Sequence, residues 1–269
     1  MGGILIVGAH RSGTSWVARA LTEAGVFFGD NLLGAELGNP YGHFEDIAVI
    51  TAHDAALHDQ EMTWKSTQTL DRPLGGQFLQ SIDTSLDSRR SIDRPWALKD
   101  PRMCLFLPEW IEALPNARII VVFRRPDEVI RSLHQRHAQR WVDTRHLDSS
   151  DIWFWESPDL ALELWVHYNE QLLGAVGTVD PRNVHVVDWN DAASTAQLVH
   201  QVATKWNLGL SNGHTTRDPS LGQSAEQPAE VRDDALLQRA HVVWERLHEL
   251  KRSTSSSLLG ANARTEPPT

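Results

Sequence analysis

A glycine-rich loop near the start of the chain carries the residues with the clearest chemistry. Gly8 and Gly13 are separated by four residues and are followed directly by Thr14 and Ser15. This is the spacing of a Walker A phosphate-binding loop, except that Thr14 stands where the motif has lysine. The nearest cation is Arg11, inside the loop itself. The loop therefore predicts a phosphate site that uses an arginine in place of the usual lysine.

The segments on either side of the loop are those that a phosphate site requires. Residues 4–7 are a short run of β-formers that predicts a buried parallel strand, and helical spacing of apolar residues predicts a helix from Thr14 to about Gly25. Backbone N–H groups and the helix N-terminus then attract phosphate oxygens. A tight turn that binds nothing is the alternative. A nucleoside triphosphatase is disfavoured, because the missing lysine normally bridges the β- and γ-phosphates.

A second arrangement of the same kind follows the most apolar strand of the sequence. Residues 119–123 predict a central parallel strand that ends at Arg124, and Pro126 begins a helix that carries Ser132 about two turns in. The planar guanidinium of an arginine at a strand end is suited to phosphate. We therefore predict that Arg124 and Ser132 converge on a second phosphate. The alternative is a helix-capping arginine and a solvated serine.

The two arrangements together resemble those of sulfotransferases that use 3′-phosphoadenosine 5′-phosphosulfate (PAPS) as donor. The sequence RSGTSW resembles the family's 5′-phosphosulfate loop, and VVFRRPDEVIRS resembles its 3′-phosphate segment. The resemblance implies that Arg124 and Ser132 bind the 3′-phosphate. It also implies that the 5′-phosphosulfate and the adenine are bound by Arg11, Ser12, Gly13, Thr14, Ser15 and Trp16.

The resemblance extends over about residues 3–210. GNPYGHFED and LKDPRMC are similar to two further segments of bacterial sulfotransferases. Many relatives have a late loop whose basic residues close over the 3′-phosphate, whereas the corresponding TTRDPSLGQS contains only Arg217. The sequence does not indicate how this loop closes the site.

Sulfonate transfer needs a cation near the bridging oxygen of the donor and a base for the acceptor hydroxyl. Arg11 is predicted to be that cation. The candidate bases are Glu45, His43, Asp46 and His53, of which the resemblance favours Glu45. If residues 43–45 are helical, the side chains of His43 and Glu45 point apart, so that only one of them faces the acceptor.

Two basic residues of LKDPR complete the candidate catalytic set. Lys99 follows a predicted strand end and is expected to approach the sulfonate or the bridging oxygen, as is Arg102. The alternative is that both form salt bridges to Asp100 or to another nearby acid. No Cys/His cluster has the spacing of a metal site, since His53 and His58 are five residues apart, and we predict no metal.

Composition narrows the function classes further. The chain has 269 residues and a formal net charge of −10, which argues against a bulk nucleic-acid binder because that role needs clustered basic charge. A single cysteine excludes an intrachain disulfide. No apolar run approaches the ~20 residues of a membrane span, and the N-terminus does not resemble a signal peptide. We expect a cytoplasmic protein.

The fold class predicted from alternating strands and helices is α/β, a P-loop-like parallel sheet flanked by helices on both faces. We expect one domain over residues 1–252 that ends in a helix at about 230–252, followed by a disordered tail over residues 253–269. The leading functional hypothesis is transfer of sulfonate from PAPS to a hydroxyl or amine of a small-molecule, carbohydrate or lipid-like acceptor. A small-molecule kinase and a non-catalytic nucleotide-binding protein are the alternatives. The residues considered for an acceptor pocket are Trp64, Trp141, Trp153, Trp155, His134, His137 and His146.

Overall fold

The computed structural model describes residues 2–35, 42–144, 158–191, 194–211 and 231–262. For residues 139–144, 158 and 256–262 it describes the backbone alone. Within these ranges the strands are β1 (Ile4–Val7), β2 (Ala97–Lys99), β3 (Arg118–Phe123) and β4 (Val184–Asp188). The helices are α1 (Thr14–Glu23), α2 (Ile47–His58), α3 (Gly76–Arg90), α4 (Met103–Ala113), α5 (Pro126–Thr144), α6 (Pro158–Val176), α7 (Thr195–Trp206) and α8 (Asp234–Asn262).

The strands form one sheet in the order β2-β1-β3-β4, and every pair in it is parallel. Parallel neighbours need a crossover between them, and helices supply each one. Because all the strands run in one direction, their carboxyl ends lie at the same edge of the sheet. The loops that follow these ends therefore meet, as is usual for ligand sites of open α/β sheets.

Both faces of the sheet are covered, which confirms the predicted fold class. Alternate residues of a strand point to opposite faces. Leu5 and Val7 accordingly join one core cluster, whereas Ile4 and Ile6 join another. The first cluster receives apolar side chains from α2, α3, α4, α5, α6 and α8, and the second receives them from α1 and α7.

The last described helix runs further than the sequence indicated. Helix α8 continues to Asn262, through residues 253–262 that were predicted to belong to a disordered tail. Part of the reason is visible at Thr254, which is buried and donates its hydroxyl to the carbonyl of Leu250 at 2.8 Å. Lys205 on α7 binds the Thr254 carbonyl at 3.1 Å. Tertiary contacts thus hold a polar segment in the helix; residues 263–269 of the predicted tail lie outside the described ranges.

The end of β1 leaves no room for a side chain. A Cβ atom at Gly8 would lie 2.1 Å from the carbonyl oxygen of Val122 on the neighbouring strand. We expect Gly8→Ala to lower the free energy of unfolding by about 1–3 kcal/mol or more, since the strand backbone must shift. Urea denaturation measures this loss.

Gly174 in α6 is the matched control, because a Cβ there would meet nothing within 4 Å. Gly174→Ala should raise the free energy of unfolding by roughly 0.5–1 kcal/mol, as alanine does inside a helix. Equal stability of the two variants would contradict the steric account of Gly8.

Candidate active site

The loop between β1 and α1 curls back on itself. The backbone N–H of Ser12 donates to the carbonyl of Ala9 at 3.1 Å, and positive φ angles occur at Arg11 (67°) and Gly13 (97°). Glycine adopts such a φ without cost, whereas arginine does not, so the conformation at Arg11 is imposed by the loop. A Cβ at Gly13 would also lie 2.3 Å from the Trp189 ring.

Arg11 connects the loop to the second predicted phosphate segment. Its Nε donates to the hydroxyl of Ser132 on α5 at 2.8 Å. Arg124, which follows β3, is buried and donates from Nε to Glu128 at 2.6 Å. Burial, together with the positive charges of Arg136 and Arg124, lowers the pKa of Arg11 to about 10. Arg11 is still a cation at neutral pH, in surroundings that a bound anion would stabilise.

Two tryptophans lie beside this cluster of arginines. Trp16 at the start of α1 and Trp189, one residue past β4, meet edge to face with ring centroids 5.4 Å apart. The guanidinium of Arg124 lies 5.6 Å from the Trp189 ring centroid. Trp189 was not among the site residues predicted from the sequence. Its position just after a parallel strand was the signal, because ligand sites form at the carboxyl ends of such strands.

Lys99 supplies from another strand the ammonium group that the loop lacks. Its Nζ donates to the Ser15 hydroxyl and to the His43 carbonyl, each at 3.2 Å. It also donates to Glu45 Oε1 at 2.5 Å, and both side chains are almost completely buried. The predicted alternative of a salt bridge is thus present for Lys99, with Glu45 as the partner.

The ion pair decides the charge of Glu45. Burial raises the pKa of this carboxyl, but the ammonium of Lys99 and a contact with His43 outweigh burial and hold the pKa below its ordinary value. Arg102 Nη1 lies 3.8 Å from Glu45 Oε2. Glu45 is therefore an anion at neutral pH.

His43 and Glu45 lie together rather than apart. Nδ1 of His43 is 3.8 Å from Oε1 of Glu45. The expectation that they point apart assumed a helix, and α2 begins only at Ile47, with Phe44 at a φ of 58°. Both predicted bases therefore reach the same group of side chains.

The other two base candidates are engaged in contacts that hold the fold. Asp46 caps α2 through a backbone N–H and accepts from Arg89 Nη2 at 2.5 Å. His53 is fully buried, with Nδ1 2.9 Å from Asp100 Oδ2 and with Nε2 accepting from Trp110 Nε1 at 2.9 Å. Both carboxylate oxygens of Asp46 and both ring nitrogens of His53 are thus already engaged within the protein.

Arg102 is held between two carboxylates. Asp100 Oδ1 accepts from its backbone N–H at 3.0 Å and from its Nη1 at 3.1 Å, and Asp54 Oδ1 lies 2.6 Å from its Nε. Burial raises the pKa of Asp100, yet Arg102 and then His53 hold this pKa well below its ordinary value. The alternative of salt bridges is therefore observed for Arg102 as well.

An aromatic wall of Trp64, Tyr168 and His137 stands next to these charges, and His10, which was not predicted from the sequence, lies against it. The His10 ring is 4.4 Å from the ring of Trp64 and 5.4 Å from that of Tyr168. Trp64 in turn stacks on His137 at 6.4 Å. Trp64 and His137 were both considered for the acceptor pocket. Four other residues considered for it lie where side chains are not described, namely Trp141, His146, Trp153 and Trp155. Arg217 also lies outside the described residues.

Comparison with known proteins agrees with this fold. Residues 3–201 match the model of the sulfotransferase family, so the chain belongs to that family. A sulfotransferase from Alicyclobacillus acidocaldarius is similar in structure, with a TM-score of 0.51 and 16% identity over 94% of this chain and 96% of that one. The sulfotransferase domain of the Synechococcus PCC 7002 olefin synthase gives a TM-score of 0.50 and 17% identity over 89% and 93%. No curated protein matches the sequence.

Two observations on the described ranges concern predicted absences. No helix there is long and apolar enough to cross a bilayer. The side chains described also bring no group of three or more His, Cys, Asp or Glu residues together as a metal site would.

The buried pair of Glu45 and Lys99 should make a pH-dependent contribution to stability. Glu45→Gln leaves the ammonium without its closest anion, which costs about 3 kcal/mol at pH 7. The pKa of Glu45 is lowered by folding, so its contribution is present above the unfolded value of about 4.3 and is lost as the pH falls through the folded value. Urea denaturation at pH 7 and near pH 3.5 should therefore give a smaller difference from wild type at the lower pH.

Glu23→Gln is the matched control, since Glu23 forms a surface ion pair with Arg19 at 3.0 Å. It should change the free energy of unfolding by less than about 0.5 kcal/mol at either pH. A Glu45→Gln effect that grew towards acid pH would mean that folding does not lower the pKa of Glu45.

Proposed function

We propose that this sulfotransferase moves sulfonate from PAPS to a hydroxyl or amine of a small-molecule, carbohydrate or lipid-like acceptor, by in-line displacement and without a metal. The observation that carries the proposal is the hydrogen bond from Arg11 to Ser132, with Arg124 beside it. That bond joins the two segments that resemble the 5′- and 3′-phosphate sites of the family.

The residues present fit a nucleotide with two separate phosphate groups. The Ser12 hydroxyl is fully buried and has no hydrogen-bond partner among the described residues, so a phosphate oxygen would satisfy it. Arg124 is oriented by Glu128, which itself accepts from the Asn190 amide at 2.8 Å. An arginine fixed in this way would bind the 3′-phosphate with little loss of side-chain entropy. The adenine would pack against the edge-to-face pair of Trp16 and Trp189.

The roles of the catalytic residues follow from charge. When bound, PAPS supplies the sulfonate and keeps the electron pair of the broken S–O bond on its 5′-phosphate oxygen. Arg11 and Lys99 would stabilise the negative charge that develops on this 5′-phosphate oxygen. The Glu45 carboxylate would take the proton of the acceptor hydroxyl, and His43 is the alternative base. The acceptor oxygen thereby becomes free to form the new bond to sulfur.

The two alternative functions lead to different ligand responses. A kinase of the same architecture would bind ATP with magnesium, and a lysine in the loop would normally contact its phosphates. Here Lys99 takes a place beside Ser15 but is already paired with Glu45. A nucleotide-binding protein without catalysis would share the donor site and differ only in turnover.

The donor-site prediction concerns Arg124 and Ser132. Arg124→Ala and Ser132→Ala should weaken binding of adenosine 3′,5′-bisphosphate much more than binding of adenosine 5′-phosphate. Loss of a charge-assisted hydrogen bond to phosphate costs about 1.5–3 kcal/mol. Calorimetry in buffer with EDTA measures both affinities, and stabilisation by ATP only with magnesium would favour the kinase instead.

Arg125→Ala is the control for this series. Arg125 is the next residue along the chain but is exposed and pairs with Asp127 at 3.1 Å. Its replacement should leave both affinities near the wild-type values. An equal loss for the two nucleotides in Arg124→Ala would show that this residue does not read the 3′-phosphate.

The base prediction separates Glu45 from His43. Glu45→Gln should retain affinity for adenosine 3′,5′-bisphosphate and lower kcat by roughly 10²–10⁴-fold, the usual effect of losing a positioned general base. His43→Asn should have a smaller effect on kcat. Turnover is measured at saturating donor, on protein shown to be folded at the assay temperature. Near-wild-type turnover in Glu45→Gln with collapse in His43→Asn would assign the role to the histidine.

A further inference from the structure

His10 occupies the boundary between the charged group around Lys99 and the aromatic wall. It follows Ala9 in the glycine-rich loop and precedes Arg11, and its ring lies against Trp64 and Tyr168. The residue is 8% exposed, yet its Nε2 atom has no hydrogen-bond partner among the described residues. A buried polar atom without a hydrogen-bond partner costs free energy. A ligand that formed a hydrogen bond with this atom would therefore bind more tightly.

The charges around His10 set its protonation state. Burial and the guanidinium of Arg102 lower the pKa of His10 well below its ordinary value, and Arg136 and Lys99 act in the same direction. The carboxylate of Glu45 acts in the opposite direction, but it is outweighed. The imidazole is therefore neutral at pH 7 and carries one N–H, which makes it able to donate a hydrogen bond.

The wall beside His10 is fixed in place. Tyr168 donates its hydroxyl to the backbone carbonyl of Trp64 at 2.7 Å, which ties the loop before α3 to helix α6. The Trp64 ring stacks almost parallel to His137, at 7° between planes, and remains partly exposed. Aromatic faces of this kind bind flat rings by stacking.

We propose that His10 is an acceptor-binding residue whose Nε2 donates a hydrogen bond to the reacting hydroxyl, and that Trp64 holds a flat ring on which that hydroxyl is carried. The inference rests on the proposed function. The acceptor oxygen forms the bond to sulfur, its proton passes to Glu45, and the S–O bond to the 5′-phosphate breaks with its electron pair on the phosphate oxygen. His10 neither gains nor loses a proton.

The surroundings of His10 argue against its acting as the base. Taking the proton would create an imidazolium inside the protein next to Arg102, Arg136 and Lys99, which burial and like charge both disfavour. A hydrogen bond from the neutral ring requires no new charge on His10. It also stabilises the negative charge that develops on the acceptor oxygen while its proton is leaving.

The experiment uses the full chain with PAPS and 2-naphthol, a flat ring that carries a hydroxyl, and with methyl β-glucoside as a hydroxyl compound without a flat ring. His10→Gln places an amide N–H close to the position of imidazole Nε2, whereas His10→Phe keeps the ring and removes the hydrogen bond. We expect kcat/KM for 2-naphthol to fall about 10²-fold in His10→Phe, the size typical of losing a donor to developing negative charge. His10→Gln should remain within about 10-fold of wild type. Wild type should prefer 2-naphthol to the glucoside.

His185→Phe is the matched control. His185 on β4 is also buried, and its Nε2 likewise has no partner among the described residues, but it packs against Trp206, away from the loop. This replacement should leave kcat/KM unchanged. Calorimetry with adenosine 3′,5′-bisphosphate should give wild-type affinity for all three variants.

Each other outcome overturns a defined part of the proposal. Equal loss in His10→Gln and His10→Phe removes the hydrogen-bond donor role. Weakened nucleotide binding in His10→Phe would assign the residue to the donor site instead. A wild-type enzyme that binds the nucleotide but does not use 2-naphthol overturns the flat-ring acceptor, while the proposed function stands. Failure of the wild type to bind the nucleotide overturns the proposed function itself.

Discussion

The ammonium group of Lys99 is the point at which the separate segments of the site are joined. It stands at the end of β2 and bonds to the glycine-rich loop through Ser15 and to the segment before α2 through His43 and Glu45. None of these segments is close to another along the chain. A buried cation needs anionic and polar partners, because burying it without them costs several kcal/mol. The requirement to satisfy Lys99 therefore sets the distance between the loop and the carboxylate that faces it.

A wider electrostatic pattern surrounds that point. The chain as a whole has a formal charge of −10, yet arginines gather where the carboxyl ends of β1 and β3 meet. Burial, and after it the positive charges of Arg136 and Arg124, lower the pKa of Arg11 to about 10. Arg124 is tied to Glu128, and Arg102 to Asp100 and Asp54. Surfaces of this kind focus their field on a small anionic ligand while the rest of the protein repels it.

Behind the charged residues lies a largely buried network of hydrogen-bonded side chains. Trp110 donates to His53, His53 bonds to Asp100, and Asp100 binds Arg102. Both ring nitrogens of His53 and both carboxylate oxygens of Asp100 have a partner, and partly satisfied buried networks are the costly ones. The network therefore gives Arg102 a fixed position next to Glu45. The same network shows that His53, one of the candidate bases, holds other side chains in place.

The parallel sheet, the glycine-rich loop and the segment that carries Arg124 and Ser132 could be predicted from the amino-acid sequence alone. Short apolar runs that end at glycine or arginine, each followed by a helical pattern, allow few arrangements other than a parallel sheet with its loops at one edge. The positions of Arg11, Arg124, Ser132 and Lys99 could be read from those patterns, although their roles remain proposals.

Which side chains meet could not be predicted, because contacts between segments far apart in the chain leave no periodic signal in the sequence. The Trp189 ring packs against Gly13 of the loop. The His10 ring packs against Trp64, which is 54 positions away along the chain. Local geometry was equally hidden where it departs from a regular element. The non-helical backbone at Phe44 brings His43 to Glu45, and the contact of Lys205 with Thr254 helps to keep a polar segment helical. Tertiary contacts can outweigh local propensity, because propensity is worth less than about 1 kcal/mol for an ordinary residue.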